Sequence, residues 1–273
     1  MRRRMPVVAD GFKVITFPRS RLATLDVGRY GRNKHYMFGL LEVDVTVARQ
    51  AARQLRRAGQ GVSFTAWMIK AIANSVARHR EVHAIAAGKR KIVIFDSVDI
   101  ALPVERAVEE GRAPLPLLIK DVGSRTIYDI HRSIEDARDQ AIDDESKYVL
   151  GRHSFSRFAM KLYYLLPQAI RLLTWKVLFG NPIRAKRHTG TVMVTTVGSA
   201  GRTVGWILPT RSMHNLQISI GSITRKPKVV DGQVVARDIM HLTVGFNHDV
   251  IDGVPARQFM DDLFRHIEKG DLG

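Results

Sequence analysis

Val244 to Gly253 reads V-G-F-N-H-D-V-I-D-G, an apolar run that ends in a histidine, with an aspartate four residues on and a glycine after it. The run has the composition of a strand end, so the imidazole of His248 can leave the sheet and enter a cleft. Its reference pKa lies close enough to neutrality for a general base. Asp252 and Gly253 are expected to shape the turn behind it. Glycine permits a φ that other residues resist, and the carboxylate can pair with a cation and hold the loop that carries the histidine.

Around this stretch the composition sets bounds. At 273 residues, with 45% apolar and 25% charged residues, the chain can bury a sizeable core and has the make-up of a soluble globular protein. There is no cysteine, which excludes disulfide scaffolds, thiolate nucleophiles and zinc-thiolate sites together. The ten histidines are scattered without paired ligand spacing, so no metal site is expected. No apolar stretch suits a signal peptide or a span, and a cytoplasmic protein is expected. The net charge is +17 and unevenly placed: residues 1–60 hold 13 Lys+Arg against 4 acids, and residues 146–230 hold 14 Lys+Arg and no acid. Such a field attracts nucleic acid, an anionic membrane or a phosphate-rich cofactor such as coenzyme A. Nucleic acid is the least suited of these, because aromatic residues are not interleaved with the basic ones in a stacking pattern.

Taken in order, residues 1–12 read as a mobile basic arm. Residues 13–17 read as a short strand, 20–30 as a short helix or turn, and Tyr36 to Asp44 as a strand. Thr46 is expected to cap a basic helix to Ala58, and Ser63 an amphipathic helix over 65–79. The runs 91–95 and 98–104 suggest a β-hairpin around Asp96-Ser97, with 114–119 extended after it. Ile127, Ile130, Ile134, Ala137 and Ala141 predict a helix over 126–143. Strands are expected at 191–197, 204–208, 216–220, 229–235 around Asp231-Gly232, and 241–247. A helix over 254–269, with Pro255 in its first turn, closes the chain. No linker divides it, so the reading is one mixed α/β domain over 1–273, a mixed sheet covered by helices.

With the strands placed, several segments resemble the catalytic domain of the E2 acyltransferases of 2-oxo acid dehydrogenase complexes, the fold shared with chloramphenicol acetyltransferase. V-M-V-T-T-V-G-S-A-G at 192–201 is similar to that family's T-I-S-N-x-G-x-x-G strand, and G-F-N-H-D-V-I-D-G to its D-H-R-x-I-D-G. I-G-S-I-T-R-K-P with V-V-D-G-Q-V-V at 220–235 resembles its strand-turn-strand, and L-E-V-D-V-T at 41–46 and F-T-A-W-M-I-K-A-I at 64–72 fit the same template. The resemblance implies a homotrimer with sites between subunits. It implies His248 as the base that deprotonates the thiol of coenzyme A or dihydrolipoamide, Asp252 paired with Arg21, and Thr195, or Thr196 one register on, meeting the oxyanion. Asn247 and Asp249 stand where the family has aspartate and arginine, which alters the charges beside the base, and Asn247, with Arg21 and Thr196, is expected to line the substrate site. No lipoyl domain resembles any part of this sequence, so a lipoyl-bearing partner chain is expected. The runner-up reading is an E2-like scaffold without turnover.

Residues 146–190 exceed the family pattern and read as an insertion. Within it, 155–180 is F-S-R-F-A-M-K-L-Y-Y-L-L-P-Q-A-I-R-L-L-T-W-K-V-L-F-G. Arg157, Lys161, Gln168 and Arg171 fall on one narrow polar stripe of a helix, while Phe158, Leu162, Leu165, Ile170, Leu173 and Val177 are among its broad apolar remainder. Three covers are open: the chain's own domain, a neighbouring subunit, or a lipid surface. Peripheral binding to anionic membranes, weakened when Trp175 and Leu173 are cut to alanine, is the expectation for the third.

Overall fold

The structure, a computed structural model, describes residues 8–9, 12–13, 20–58, 61–108, 111–140, 162–196 and 204–271. Most of the N-terminal arm, Arg157, Phe158, Lys161 and the first part of the insertion lie outside these residues. Six strands form one mixed sheet: β1 (Tyr36–Asp44), β2 (Ile100–Val108), β3 (Gly111–Ile119), β4 (Val192–Thr196), β5 (Leu216–Val230) and β6 (Gln233–Asn247), in the order β1-β6-β5-β4-β2-β3. β4 runs parallel to both β2 and β5, and the other pairs are antiparallel. The β5–β6 hairpin turns on Asp231 (φ 51°) and Gly232 (φ 78°). Two successive positive φ angles give the turn whose twist matches that of the strands it joins, which is why Asp-Gly sits there.

The alternation of side chains along the strands decides what each face does. Val192, Val194, Leu216, Ile218, Leu242, Val244 and Phe246 point to one face and are buried there. That face is covered by α2 (Thr46–Arg57), α3 (Phe64–Arg78), α4 (Ile127–Asp139) and α7 (Gly253–Lys269). α3 starts at Ser63, whose hydroxyl accepts from the Ala66 amide, and buries Trp67, Met68, Ile69, Ile72 and Val76. α4 opens with a capping box between Thr126 and Asp129. The opposite face carries Thr195, Gln217, Ser219 and Thr243, and the segment 204–215 crosses it. Trp206 donates its indole N–H to the Leu41 carbonyl and packs edge-on to His241. Gly221 makes this crossing possible, since a Cβ there would stand 2.7 Å from the Gly205 oxygen.

Three local expectations are corrected. Asp96-Ser97 is not a hairpin turn: Ile92–Val93 pairs with Ile85–Ala86, while β2 pairs with β3. Prolines at 103, 114 and 116 supply no donor to this ladder. β3 is an edge strand and β4 reaches only Ile100 and Ala101 of β2, so the sheet tolerates the missing donors. Residues 204–208 form no strand. Thr46 does not cap α2: Val45 holds that position, and the Thr46 hydroxyl accepts from the Asp238 amide instead.

Residues 162–189 pack on α1 (Ser20–Gly31) through one helical turn at 162–165, α5 (Gln168–Phe179) and α6 (Pro182–Thr189). Pro167 separates the turn from α5 and stands at its N-cap. Trp175, Phe179 and Ala185 form a small second core with Val27, Tyr30 and Met213. The polar stripe faces inward. Arg171 donates twice to Asp26 (2.6 and 3.2 Å), and Tyr163 (2.7 Å) and Gln168 (3.1 Å) complete the shell of that fully buried carboxylate. Burial alone would raise the Asp26 pKa, but these hydrogen bonds and the Arg171 charge hold it below the usual carboxylate range. Trp175 is therefore interior, stacked on Phe179 and bonded to the Tyr163 hydroxyl, and is not the surface anchor the sequence suggested.

Candidate active site

β6 ends at Asn247, and the backbone turns at once: the amides of Val250 and Ile251 both donate to the Asn247 carbonyl (3.1 Å each). His248 is the first residue of this turn. Its amide donates to the His35 carbonyl at 2.7 Å, one residue before β1, while its side chain is exposed. Ile251, buried, pins the far side of the turn in the core. A fixed backbone under an open imidazole is the arrangement a base needs when its proton donor arrives from outside.

A buried polar clamp holds that backbone. Asn247 bonds through its amide N–H to the Asn215 carbonyl (2.8 Å) and through its side chain to Asn215 Oδ1 (3.1 Å). Asn215 in turn donates to the Ala84 carbonyl (2.8 Å). The Lys34 ammonium donates to the same Asn215 oxygen (2.8 Å) and to the Met213 carbonyl. Burial pushes Lys34 down to about 7, partly opposed by the Asp249 charge. Asp249 accepts from His35 Nδ1 at 2.7 Å, and that hydrogen bond holds its carboxyl below the usual range. Asp249 thus joins the turn to the start of β1 in place of the arginine the family pattern has. Asn247, assigned to substrate from the sequence, is 3% exposed and has its amide group engaged internally. Lys34, His35 and Asn215 carried no sequence signal, for they lie in three separate connections that only the fold brings together.

Asp252 and Gly253 serve differently from expectation. Asp252 occupies the N-cap position of α7, is exposed, and makes no side-chain capping hydrogen bond there. Gly253 is the first residue of α7 and has no positive φ. An aspartate at a helix N-terminus and an asparagine there are near equivalents. Asp252→Asn is therefore expected to leave the melting midpoint of the isolated chain within what about 0.5 kcal/mol would produce, whatever it does to activity. A large fall in scanning calorimetry would restore the anchoring role.

Thr195 and Thr196 point to opposite faces of β4. Thr195 shares a row with Ser219 and Thr243 on the face away from the helices, and Thr196 is exposed at the strand end in register with Ile220. Counting five residues along β6 and two strands across, Thr195 and His248 of one chain stand about 20 Å apart. One chain does not bring base and hydroxyl together. The cleft lined by Arg49, Arg53, Ser63 and His131 lies at the opposite end of β6, beside Asp238, and belongs to neither.

Residues 170–272 match the model of the family described as 2-oxoacid dehydrogenases acyltransferase (catalytic domain), so residues 170–190 are not extra to the family pattern as the sequence suggested. Among individual proteins, the dihydrolipoyllysine-residue acetyltransferase components of the pyruvate dehydrogenase complexes of Staphylococcus aureus and Staphylococcus epidermidis are 28% identical over 113 residues, 41% of this chain. The aligned part spans about a quarter of the length of these curated relatives, 26%. The fold extends over nearly the whole chain. A probable dihydrolipoamide acetyltransferase of Listeria monocytogenes superposes with a TM-score of 0.68 at 20% identity, covering 96% of this chain and 97% of that one. The dihydrolipoamide acetyltransferase of Azotobacter vinelandii, in which a serine, a histidine and an asparagine were investigated for roles in catalysis, gives 0.64 at 15%, covering 93% and 91%.

Proposed function

We propose that this chain is a coenzyme A-dependent acyltransferase of the 2-oxo acid dehydrogenase type, with His248 as general base. The imidazole takes the proton from the thiol of coenzyme A or dihydrolipoamide, and the thiolate attacks the carbonyl carbon of an acyl thioester. The tetrahedral intermediate then expels the other sulfur, which recovers the proton from the imidazolium. Thr195 of a neighbouring copy donates its hydroxyl to the oxyanion, and three copies close the ring of sites. A lipoyl-bearing partner chain is the natural acyl carrier for such a site. The observation that carries this reading is the exposed His248 on its clamped turn, inside the part of the chain that matches the family model. The second reading, a scaffold without turnover, draws on Asp249, which the turn uses to bind His35 where the family has arginine. It predicts no transfer to either thiol.

Thr195→Val keeps the shape and removes one donor. It is expected to lower kcat by about 10²-fold or more with little change in KM, the pattern of an interaction made mainly in the transition state. A shared site adds a sharper check. Co-expression of Thr195→Val with His248→Ala is expected to restore activity in on the order of a quarter of the sites, because adjacent copies then supply an intact residue each. Mixed assemblies as inactive as either parent would refute a site shared between copies.

A further inference from the structure

We propose that the aliphatic face of α5 and α6 is a docking surface for an anionic lipid bilayer, on which the chain lies peripherally. The observation is an inverted helix. Gln168 and Arg171 point inward to Asp26, while Leu165 (74% exposed), Ile170 (45%), Leu173 (57%), Val177 (60%) and Ile183 (63%) point outward. Ile170, Leu173 and Val177 follow one another at helical spacing, so they form a continuous stripe. A stripe of this kind is larger than the scattered apolar residues of an ordinary surface and marks contact with something apolar. The chain's own domain is not that cover, because its core contact is made by the opposite side of α5, through Trp175 and Phe179.

The charges beside the stripe select the partner. Lys176 follows Leu173 by three residues, and Arg184 and Arg187 stand on α6 next to Ile183; all three are exposed and make no ion pair among the described residues. No acid occurs between residues 146 and 230. A two-fold contact with a second copy would set these cations against their own images with nothing to neutralise them, whereas a contact within a three-fold ring joins different patches and is read out by oligomer size. An anionic headgroup layer receives both features, aliphatic side chains in the acyl boundary and cations at the phosphates. The geometry is that of a helix lying in the interface. No helix among the described residues is long and apolar enough to cross a membrane, and the 12 residues of α5 extend only about 18 Å.

The test is cosedimentation with vesicles of phosphatidylcholine alone and of phosphatidylcholine with phosphatidylglycerol, at low and high salt. The chain is expected to pellet with the mixed vesicles, less so at high salt. The double substitution Leu173→Asn with Val177→Asn is expected to lower partitioning at least about tenfold, from the apolar area withdrawn. It leaves the net charge unchanged, so attraction by charge alone predicts no effect. Arg184→Gln with Arg187→Gln is expected to weaken binding to the mixed vesicles as well. Both pairs are exposed, and an unchanged melting midpoint verifies the fold of each variant. Absence of pelleting with the mixed vesicles overturns the proposal, as does parental binding by the asparagine variant. A change of oligomer size in that variant without lipid also overturns it, placing the face between copies instead. None of these readouts depends on acyl transfer.

Discussion

His248→Ala is expected to lower acyl transfer between coenzyme A and a thioester by about 10²–10⁴-fold, the usual contribution of a positioned base. The turn beneath the residue is held by backbone hydrogen bonds, from the His248 amide to His35 and from Val250 and Ile251 to Asn247, none of which uses the imidazole. The side chain is exposed and buries no core surface. The melting midpoint should therefore stay within what about 0.5 kcal/mol would move, and the assembly should elute as the parent does. Single-turnover transfer, measured beside calorimetry, separates the two effects. A variant within a few-fold of the parent would remove the base from the mechanism, and one that unfolds would show that the turn depends on the ring.

The second large effect lies far from the histidine. Arg171→Met is expected to destabilise the chain by about 3–5 kcal/mol, because it leaves the Asp26 carboxylate buried with only Tyr163 and Gln168 as partners. The pH dependence has a definite sign. Asp26 is held below its ordinary value of 3.8, so the pair contributes fully above that pH and is lost as pH falls through the lower folded value. The difference between parent and variant should thus be greatest near neutrality and shrink on acidification below about pH 4. Urea denaturation at the two pH values, followed by hydrogen exchange of α5, reads both the size and the place of the loss. An equal difference at both pH values would contradict the role given to the Asp26 charge.

Much of the fold was legible because single segments declare it. Tyr36 to Asp44 was read as a strand to its ends, Ser63 caps α3 as its position suggested, and Asp231-Gly232 makes the hairpin turn its composition demands. The β2–β3 hairpin was legible only in part: 98–104 and 114–119 read as extended, but not as partners, since Asp96-Ser97 offered a nearer turn for 98–104. The stretch 155–180 shows the limit of periodicity in another way. Spacing located the stripe of Gln168 and Arg171, but which side of a helix turns inward depended on Asp26, nearly 150 residues earlier, waiting as a partner. The candidate site divides likewise. His248 was legible from a strand end and a motif, whereas the Lys34, Asn215 and Asn247 clamp exists only through contacts between distant connections.

The parallel pairing of β2 with β4 has a consequence for chain entropy. Ile100 lies beside Val192, and between those strands the chain makes β3, α4, α5 and α6. The sheet cannot join its two halves until that long connection has closed, so folding depends on contacts remote in sequence and is expected among the slower classes. Closure entropy grows only with the logarithm of loop length, and doubling such a connection adds about 0.6 kcal/mol. Extra chain at this position is therefore nearly free for the sheet. Its cost falls on ordering α5 and α6 themselves, and the Asp26–Arg171 pair and the small core around Trp175 are the contacts that offset it.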